Sequence, residues 1–387
     1  FQNPYFSPLL YNITCFSRIL QKYLVIFRII FNTIGKEFVK MITNTITFCQ
    51  LPPSLDCCFF PEGLTWESSV FFDIETTGLS PRTSRVYLIG AIYLPRGASS
   101  PILVQYLAED SSDDEEAAVL QAFYNLLANR RYAVHFNGTS FDVPYLIHRY
   151  EHHRLPSPLA SLVQEDLYRH LKHFKPFFCQ MGNHRQKSFE NLVSYPRKDL
   201  LSGKELIKIY QIYEKSREPA ARDAIFLHNE DDLKGMLSLL PLSRLSQLET
   251  GAYQFKAIGE VEETDYQGTV RHSLLLTLQM PQEIPAQLSV PLAQGYLMIQ
   301  KDLIKIKTPI FEGTLKYFYP DYKNYYYLPY EDEAVHKSVG IYTDPSRRQK
   351  ASAATCYRKI SGRFLCAPGN PALPLCRQEH KAQEAFT

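Results

Sequence analysis

The stretch that most constrains this chain is VFFDIETTGLSP, residues 70–81. The apolar run from Val70 to Phe72 reads as a buried strand, and Asp73 and Glu75, two residues apart, leave it from the same face. Carboxylates side by side at the end of a buried strand repel each other and raise each other's pKa, unless a divalent cation of the Mg²⁺ or Mn²⁺ type holds both. A bare D-x-E is usually a solvated strand edge; here the context reverses that reading. Thr76, Thr77 and Gly78 follow, two small hydroxyl residues and a turn-permissive glycine where backbone must pass close to a ligand.

Two later stretches supply partners for these acids. In YAVHFNGTSFDVPYL, residues 132–146, a strand from Tyr132 to Phe136 runs into Asn137 and Gly138, and a helix is predicted from near Ser140, which can cap it. Phe141 and Asp142 then fall at the start of that helix, which brings Asp142 to the carboxyl edge of the sheet beside Asp73 and Glu75. In IFLHNEDDLKGMLSLL, residues 225–240, a helix predicted from about Arg222 to Leu240 puts His228 and Asp232, four apart, on one face. Asp231 points about 100° away from Asp232, either to solvent or behind the site.

In order, spacing and residue type, these stretches resemble the three motifs of the DEDD exonucleases, the proofreading-type 3′–5′ nucleases of ribonuclease H-like fold. The string F-D-I-E-T-T-G-L looks like the first motif, Asn137, Phe141 and Asp142 like the second, and His228 with Asp232 like the third. The segment FENLVSYPRKDLLSGKELIKIYQIY, through Tyr195, Arg197, Asp199 and Gly203, is similar to the connecting region of one bacterial branch, the YprB-type ribonuclease H-like proteins. Histidine at the spacing where the family normally has tyrosine also fits that branch. The resemblance covers roughly residues 69–240. It implies an α/β fold, a mixed five-stranded sheet flanked by helices.

The resemblance further implies that Asp73, Glu75, Asp142 and Asp232 hold two Mg²⁺ or Mn²⁺ ions. Thr76, Thr77, Gly78, Leu79, Asn137 and Phe141 would bind substrate; Glu75 would also help hold the terminal nucleotide, and Leu79 would wedge near its base. Phosphodiester hydrolysis needs an activated water, neutralised phosphate charge and a stabilised leaving 3′ oxygen, which two ions about 3.5–4 Å apart can provide. His228, with an ordinary pKa near ~6.5, can take the water's proton. The expected partner is DNA or RNA with a single-stranded 3′ end. The competing class is a catalytically weak nucleic-acid-binding module of the same fold.

At 387 residues the chain exceeds the ~150-residue domain prior, so two folded units are expected. Hydrophobic residues at 45% and charged residues at 21% exclude wholesale disorder. The formal charge of +2 does not advertise a nucleic-acid partner, so any basic rim must be local. One candidate is residues 166–178, with Arg169, His170, Lys172, His173 and Lys175; an ordinary solvated helix face is the other reading. The eight cysteines form no C-x-x-C pair, which points to neither a zinc site nor a disulfide framework and suits a reducing cytoplasm.

The expected divisions are as follows. Residues 1–40 read as an upstream or non-native extension, with Met41 as the natural start; the apolar stretch Ile19 to Phe31 is interrupted by Lys22 and Arg28 and falls short of the ~18 apolar residues a spanning helix wants, so no membrane association is expected. Residues 41–68 read as a lead-in broken by Pro52, Pro53 and Pro61. Residues 69–245 form the nuclease-like domain, within which the acidic run Asp113 to Glu116 suits a helix N-terminus. Residues 250–365 read as a smaller β-rich, tyrosine-rich accessory domain, either packing its own tyrosines or offering them to unpaired bases. Residues 366–387 read as a flexible tail.

Overall fold

Val70, Phe71 and Phe72 are wholly buried, which explains why the strand that ends in Asp73 is apolar on both faces. In the computed structural model, which describes residues 41–48, 55, 60–264, 266–292, 295–365 and 375–376, this strand is central to a six-stranded sheet. The strands are β1 (Ile42–Thr47), β2 (Ser69–Thr76), β3 (Val86–Tyr93), β4 (Ile102–Leu107), β5 (Tyr132–His135) and β6 (Val163–Asp166). Their order is β1-β4-β3-β2-β5-β6; β2, β3 and β4 form the antiparallel meander, and β5 and β6 join in parallel. This is a ribonuclease H-like sheet with one strand more than expected. Residues 42–47, expected as lead-in, pair along the whole of β4. The Ile/Thr alternation of this strand is shallow, and only its register against β4 turns Ile42, Asn44 and Ile46 inward. The sequence of Val163–Asp166, VQED, has no apolar run, and the parallel pairing with β5 makes it a strand.

The helices that flank this sheet are α1 (Asp113–Leu127), α2 (Asp142–His152), α3 (Leu167–His173), α4 (Gln186–Leu192), α5 (Gly203–Ser216) and α6 (Pro219–Ser238). Ser112 caps α1, whose first turn holds all four acids of the run. Glu116 turns inward, where it accepts from Val86 N at 2.9 Å and from Arg149 Nε at 2.8 Å and lies 2.8 Å from His153 Nε2. Glu116 is therefore structural, and Asp113 pairs with Arg85 at 2.9 Å. A capping box between Ser202 and Glu205 starts α5, and Pro219 opens α6 at a position where its missing N–H costs nothing. Ser140 does not cap α2; the helix starts at Asp142 with Phe141 at the cap position and no side-chain cap bond. The apolar core lies between sheet and helices, with Phe72, Leu88, Leu120, Phe123 and Leu146 wholly buried.

The chain divides into two compact units, Phe1–His173 with Asn183–Ser243, and Phe174–Gly182 with Arg244–Thr387. The second unit is antiparallel. Strands β7 (Gln254–Thr264), β8 (Val270–Pro291), β9 (Tyr296–Phe318) and β13 (Tyr357–Leu365) make its main sheet, joined by the short β14 (Leu375–Cys376). Strands β8 and β9 are 22 and 23 residues long. Three shorter strands, β10 (Tyr325–Leu328), β11 (Glu333–His336) and β12 (Gln349–Lys350), form a second sheet. Tyr325 of this sheet stacks 4.5 Å from Tyr319, Tyr327 donates with Tyr357 to Asp332 Oδ1, and Tyr326 lies under the Arg348 guanidinium. The readings of residues 1–40, and of most of the tail, lie outside the described residues. Among those described, no helix is long and apolar enough to cross a membrane.

Candidate active site

Asp73 and Glu75 alternate with buried Phe72 and Ile74 along β2, so both project from the face on which α6 packs. Asp142 reaches them from the first turn of α2, and His228 and Asp232 from one face of α6. Glu75, His228 and Asp232 bring ligand atoms within 4.8 Å of one another. His228 Nε2 lies 3.7 Å from Glu75 Oε1 and 3.3 Å from Asp232 Oδ2. The four acids read from the sequence thus converge with His228 at one edge of the sheet.

Their electrostatics reflect that crowding. Burial pushes Asp73 well above the usual carboxylate range, and Asp232, Glu75 and Asp142 push it further. Glu75 is raised well above its ordinary value by burial and then by Asp232 and Asp142. Burial takes Asp142 up to about 7, against the easing effect of backbone N–H groups. Burial also lowers His228, although Asp232 and Asp199 favour its charged form. Without a cation the site is an assembly of acids in which full ionisation is opposed.

A segment that the motifs did not mark completes the site. Asp199 Oδ2 stands 2.8 Å from His228 Nδ1, off the line of a good hydrogen bond but at ion-pair range. Burial pushes Asp199 up, yet the Leu201 N–H, His228 and Lys187 outweigh it and hold the carboxyl low. Arg197 donates to Asp232 Oδ1 at 2.7 Å, to Glu190 Oε2 at 2.9 Å and to Asp199 Oδ2 at 3.3 Å. Asp231 is buried and faces away from the cavity; its carboxylate accepts from Tyr195 Oη and from the backbone N–H of Lys198 and Asp199, which ties this segment to α6. Arg197 and Asp199 entered the sequence reading only as marks of family likeness, because nothing in their spacing shows which acids they meet.

The site opens into a cavity of about 890 Å³ lined by Asp73, His228 and Asp232, by Asn137, Phe136 and Tyr168, and by residues 183–188 and 200–203 with Glu205. Phe136 and Tyr168 stand 5.5 Å apart, and Arg185 and Lys187 bring positive charge to the wall. Asn137 has a left-handed backbone, φ 59°, and its N–H is held by Asp166 Oδ1 at 2.8 Å. Thr76 Oγ1 donates to Gly78 O at 2.9 Å, and Tyr145 Oη donates to the same carbonyl at 3.2 Å, so this loop is shaped by its own bonds. The Thr77 hydroxyl accepts from Arg85 N at 2.9 Å. Leu79 is 85% exposed. Phe141 packs on the core and on Tyr145 and does not line the cavity.

Residues 70–242 match the model of a family described as the RNase_H superfamily. The fold of this region is ribonuclease H-like. No curated protein matches the chain. Among solved structures, the chain is similar to the family B DNA polymerase from the hyperthermophilic archaeon Pyrobaculum calidifontis, at 15% identity over 77% of this chain and 43% of that one, with a TM-score of 0.37. It is also similar to exonuclease I, at 10% identity over 55% of each chain and a TM-score of 0.32. A zinc-bound complex of E. coli exonuclease I with single-stranded DNA gives 12% identity over 56% of this chain and 55% of that one, with a TM-score of 0.31. The chain spans about half the length of these structures.

Proposed function

We propose that this chain is a divalent-metal-dependent nuclease that removes nucleotides from the 3′ end of single-stranded DNA or RNA. The observation that carries the reading is the convergence of Asp73, Glu75, Asp142 and Asp232 with His228, of which Asp73, His228 and Asp232 line a partly basic cavity. The donor set fits Mg²⁺ or Mn²⁺: four carboxylates offer hard oxygen ligands, enough for two ions, and burial and mutual repulsion oppose ionisation of Asp73, Glu75 and Asp142 unless a cation is held among them. Bound there, the cations would neutralise phosphate charge and make a bound water more acidic.

The chain's own groups would do the rest. His228 is held neutral by burial, and with Nδ1 facing Asp199 its Nε2 faces the acids, where it would accept the attacking water's proton. Asp199 would keep the ring turned that way and favour its charged form once the proton arrives. Arg185 and Lys187 would draw in the phosphates, and Leu79 would contact the terminal base. Residues 69–245 would be the catalytic domain and 250–365 an accessory one. The likeness around Tyr195, Arg197 and Asp199 supports the YprB-type bacterial branch, and the free thiols of Cys179 and Cys356 suit a reducing cytoplasm.

One observation favours the binding-module alternative: Arg197 already occupies Asp232 Oδ1. Degradation of 5′- and 3′-labelled single-stranded DNA and RNA with Mn²⁺ or Mg²⁺ separates the two. A ladder shortening from the 3′ end, abolished by Asp73→Asn and by Asp232→Asn, is the expected outcome. Tight binding without turnover would establish the module instead.

A further inference from the structure

The Asp73 carboxylate ends a row that crosses four strands. Asn44 of β1 stands opposite Gln105 of β4, Gln105 opposite Gly90 of β3, and Gly90 opposite Asp73 of β2. Directly opposed residues of antiparallel strands send their side chains to one face. Three polar groups and one gap therefore lie in line over three interstrand steps of about 4.8 Å, ~14 Å in all. Asn229 of α6 fills the gap. A Cβ at position 90 would fall 1.8 Å from Asn229 Oδ1 and 2.8 Å from Leu233 Cδ1, so glycine is required there.

Hydrogen bonds run the length of the row. Asn44 Nδ2 donates to Gln105 Oε1 at 2.8 Å, Gln105 Nε2 to Asn229 Oδ1 at 3.0 Å, and Asn229 Nδ2 to Asp73 Oδ2 at 3.0 Å. Gln105 and Asn229 are wholly buried. An amide has a donating and an accepting end, so each link decides which way the next one points. The second hydrogen of Gln105 Nε2 goes to Phe226 O at 2.8 Å, which turns its nitrogen to α6 and its oxygen to β1. A flipped Asn229 would set oxygen against the Asp73 carboxylate and NH₂ against NH₂, two repulsions that burial at low dielectric makes costly. The bond that results counters the upward push of burial and neighbouring acids on Asp73.

We propose that Gln105 and Asn229 are positioning residues, a buried amide relay that engages Asp73 Oδ2 and leaves Oδ1 to the cation. This rests on the nuclease reading above. The relay starts at a strand edge and ends at the reacting centre, so the orientation of one metal ligand is set from the far side of the sheet.

The test is Mn²⁺ titration calorimetry on the full chain, with circular dichroism melts and kinetics, for the unaltered protein, Asp73→Asn, Asn229→Leu and Gln105→Met. Groups that orient a metal ligand are typically worth 10–100-fold in affinity. Asn229→Leu is expected to weaken Mn²⁺ binding at least tenfold and to lower kcat with KM for an oligonucleotide unchanged. Gln105→Met keeps the side-chain length, does not touch Asp73 and lacks the donor; it is expected to weaken binding in the same direction, and it carries the test if Asn229→Leu does not fold. Mn²⁺ binding lost in Asp73→Asn but unchanged in the folded amide variants would overturn the relay alone. No Mn²⁺ binding by the unaltered chain, or binding unchanged by Asp73→Asn, would overturn the nuclease reading and the relay with it.

Discussion

Arg197 Nη2 lies 2.7 Å from Asp232 Oδ1 while Asp232 Oδ2 faces His228 Nε2 at 3.3 Å. One carboxylate is thus shared between a resident guanidinium and the proposed general base. Because Arg197 and Asp199 sit in the connection between α4 and α5, that connection is wired into the site and is more than a link between helices. Burial disfavours the Arg197 charge, but Asp232 and Glu190 outweigh it and hold the guanidinium above its usual pKa.

Replacing Arg197 with Met should be costly for folding. The Glu190 side chain is only 1% exposed and would lose its cation. Breaking a buried pair from one side costs about 3–5 kcal/mol. Urea unfolding of Arg197→Met should show a loss of that size; a midpoint equal to the unaltered protein's would mean that the charges are screened by water.

Arg149→Met is the matching control away from the site. Arg149 and Glu116 are 3% and 1% exposed and bond across α1 and α2. The same penalty of about 3–5 kcal/mol is expected. Mn²⁺ affinity should not change, since neither residue touches the acids of the site, and calorimetry on the folded variant would check this.

The raised acids fix a sign for pH. Asp73, Glu75 and Asp142 hold protons in the folded state that the unfolded chain releases, so stability falls as pH rises from the ordinary carboxylate range through the folded values, about 7 for Asp142. His228 acts oppositely: its pKa is lowered, so its contribution is lost as pH falls below the usual 6.5. Burial also raises Glu190 and lowers His135, so four raised acids outweigh two lowered imidazoles. The melting temperature of the metal-free chain should therefore drop between about pH 5 and about pH 8, and Mn²⁺ should raise it more at the upper value, where the acids are ionised and ready to bind. Melts that are flat with pH and with Mn²⁺ would contradict this.

Leu79 offers a test of substrate contact. At 85% exposure it contributes little to the folded chain, and truncating it should leave the melt unchanged. Burying such a side chain against a base is worth about 2 kcal/mol, so Leu79→Ala should raise KM for an oligonucleotide roughly tenfold or more. An unchanged KM in steady-state kinetics would remove the wedge role.

What could be read in advance was whatever local period carries. Asp73 and Glu75 follow from the two-residue alternation of a strand, His228 and Asp232 from four-residue spacing on a helix, and Asp142 from a strand that turns into a helix. The rest depends on tertiary pairing. Gln105 meets Asn229 across 124 residues, and Asn229 meets Asp73 across 156. Asn229 sits next to His228 and carries no local sign that its amide faces a strand. Strand Ile42–Thr47 was hidden by weak alternation and by the prolines that follow, and the cap of α2 was misplaced because Ser140 is a good capping residue in a turn that does not use it.

Strand β1 also determines where this protein can be cut. It covers the outer edge of β4 along its full length. A fragment trimmed to Val70, where the family match begins, would lose Asn44 and leave a row of amide and carbonyl groups with nothing to bond. Bare edges of that kind recruit other strands, so copies of such a fragment would zip together in solution. A fragment meant to keep the proposed site should therefore retain Ile42–Thr47, because the covered edge of β4 and the Asn44–Gln105 bond would be lost together without it.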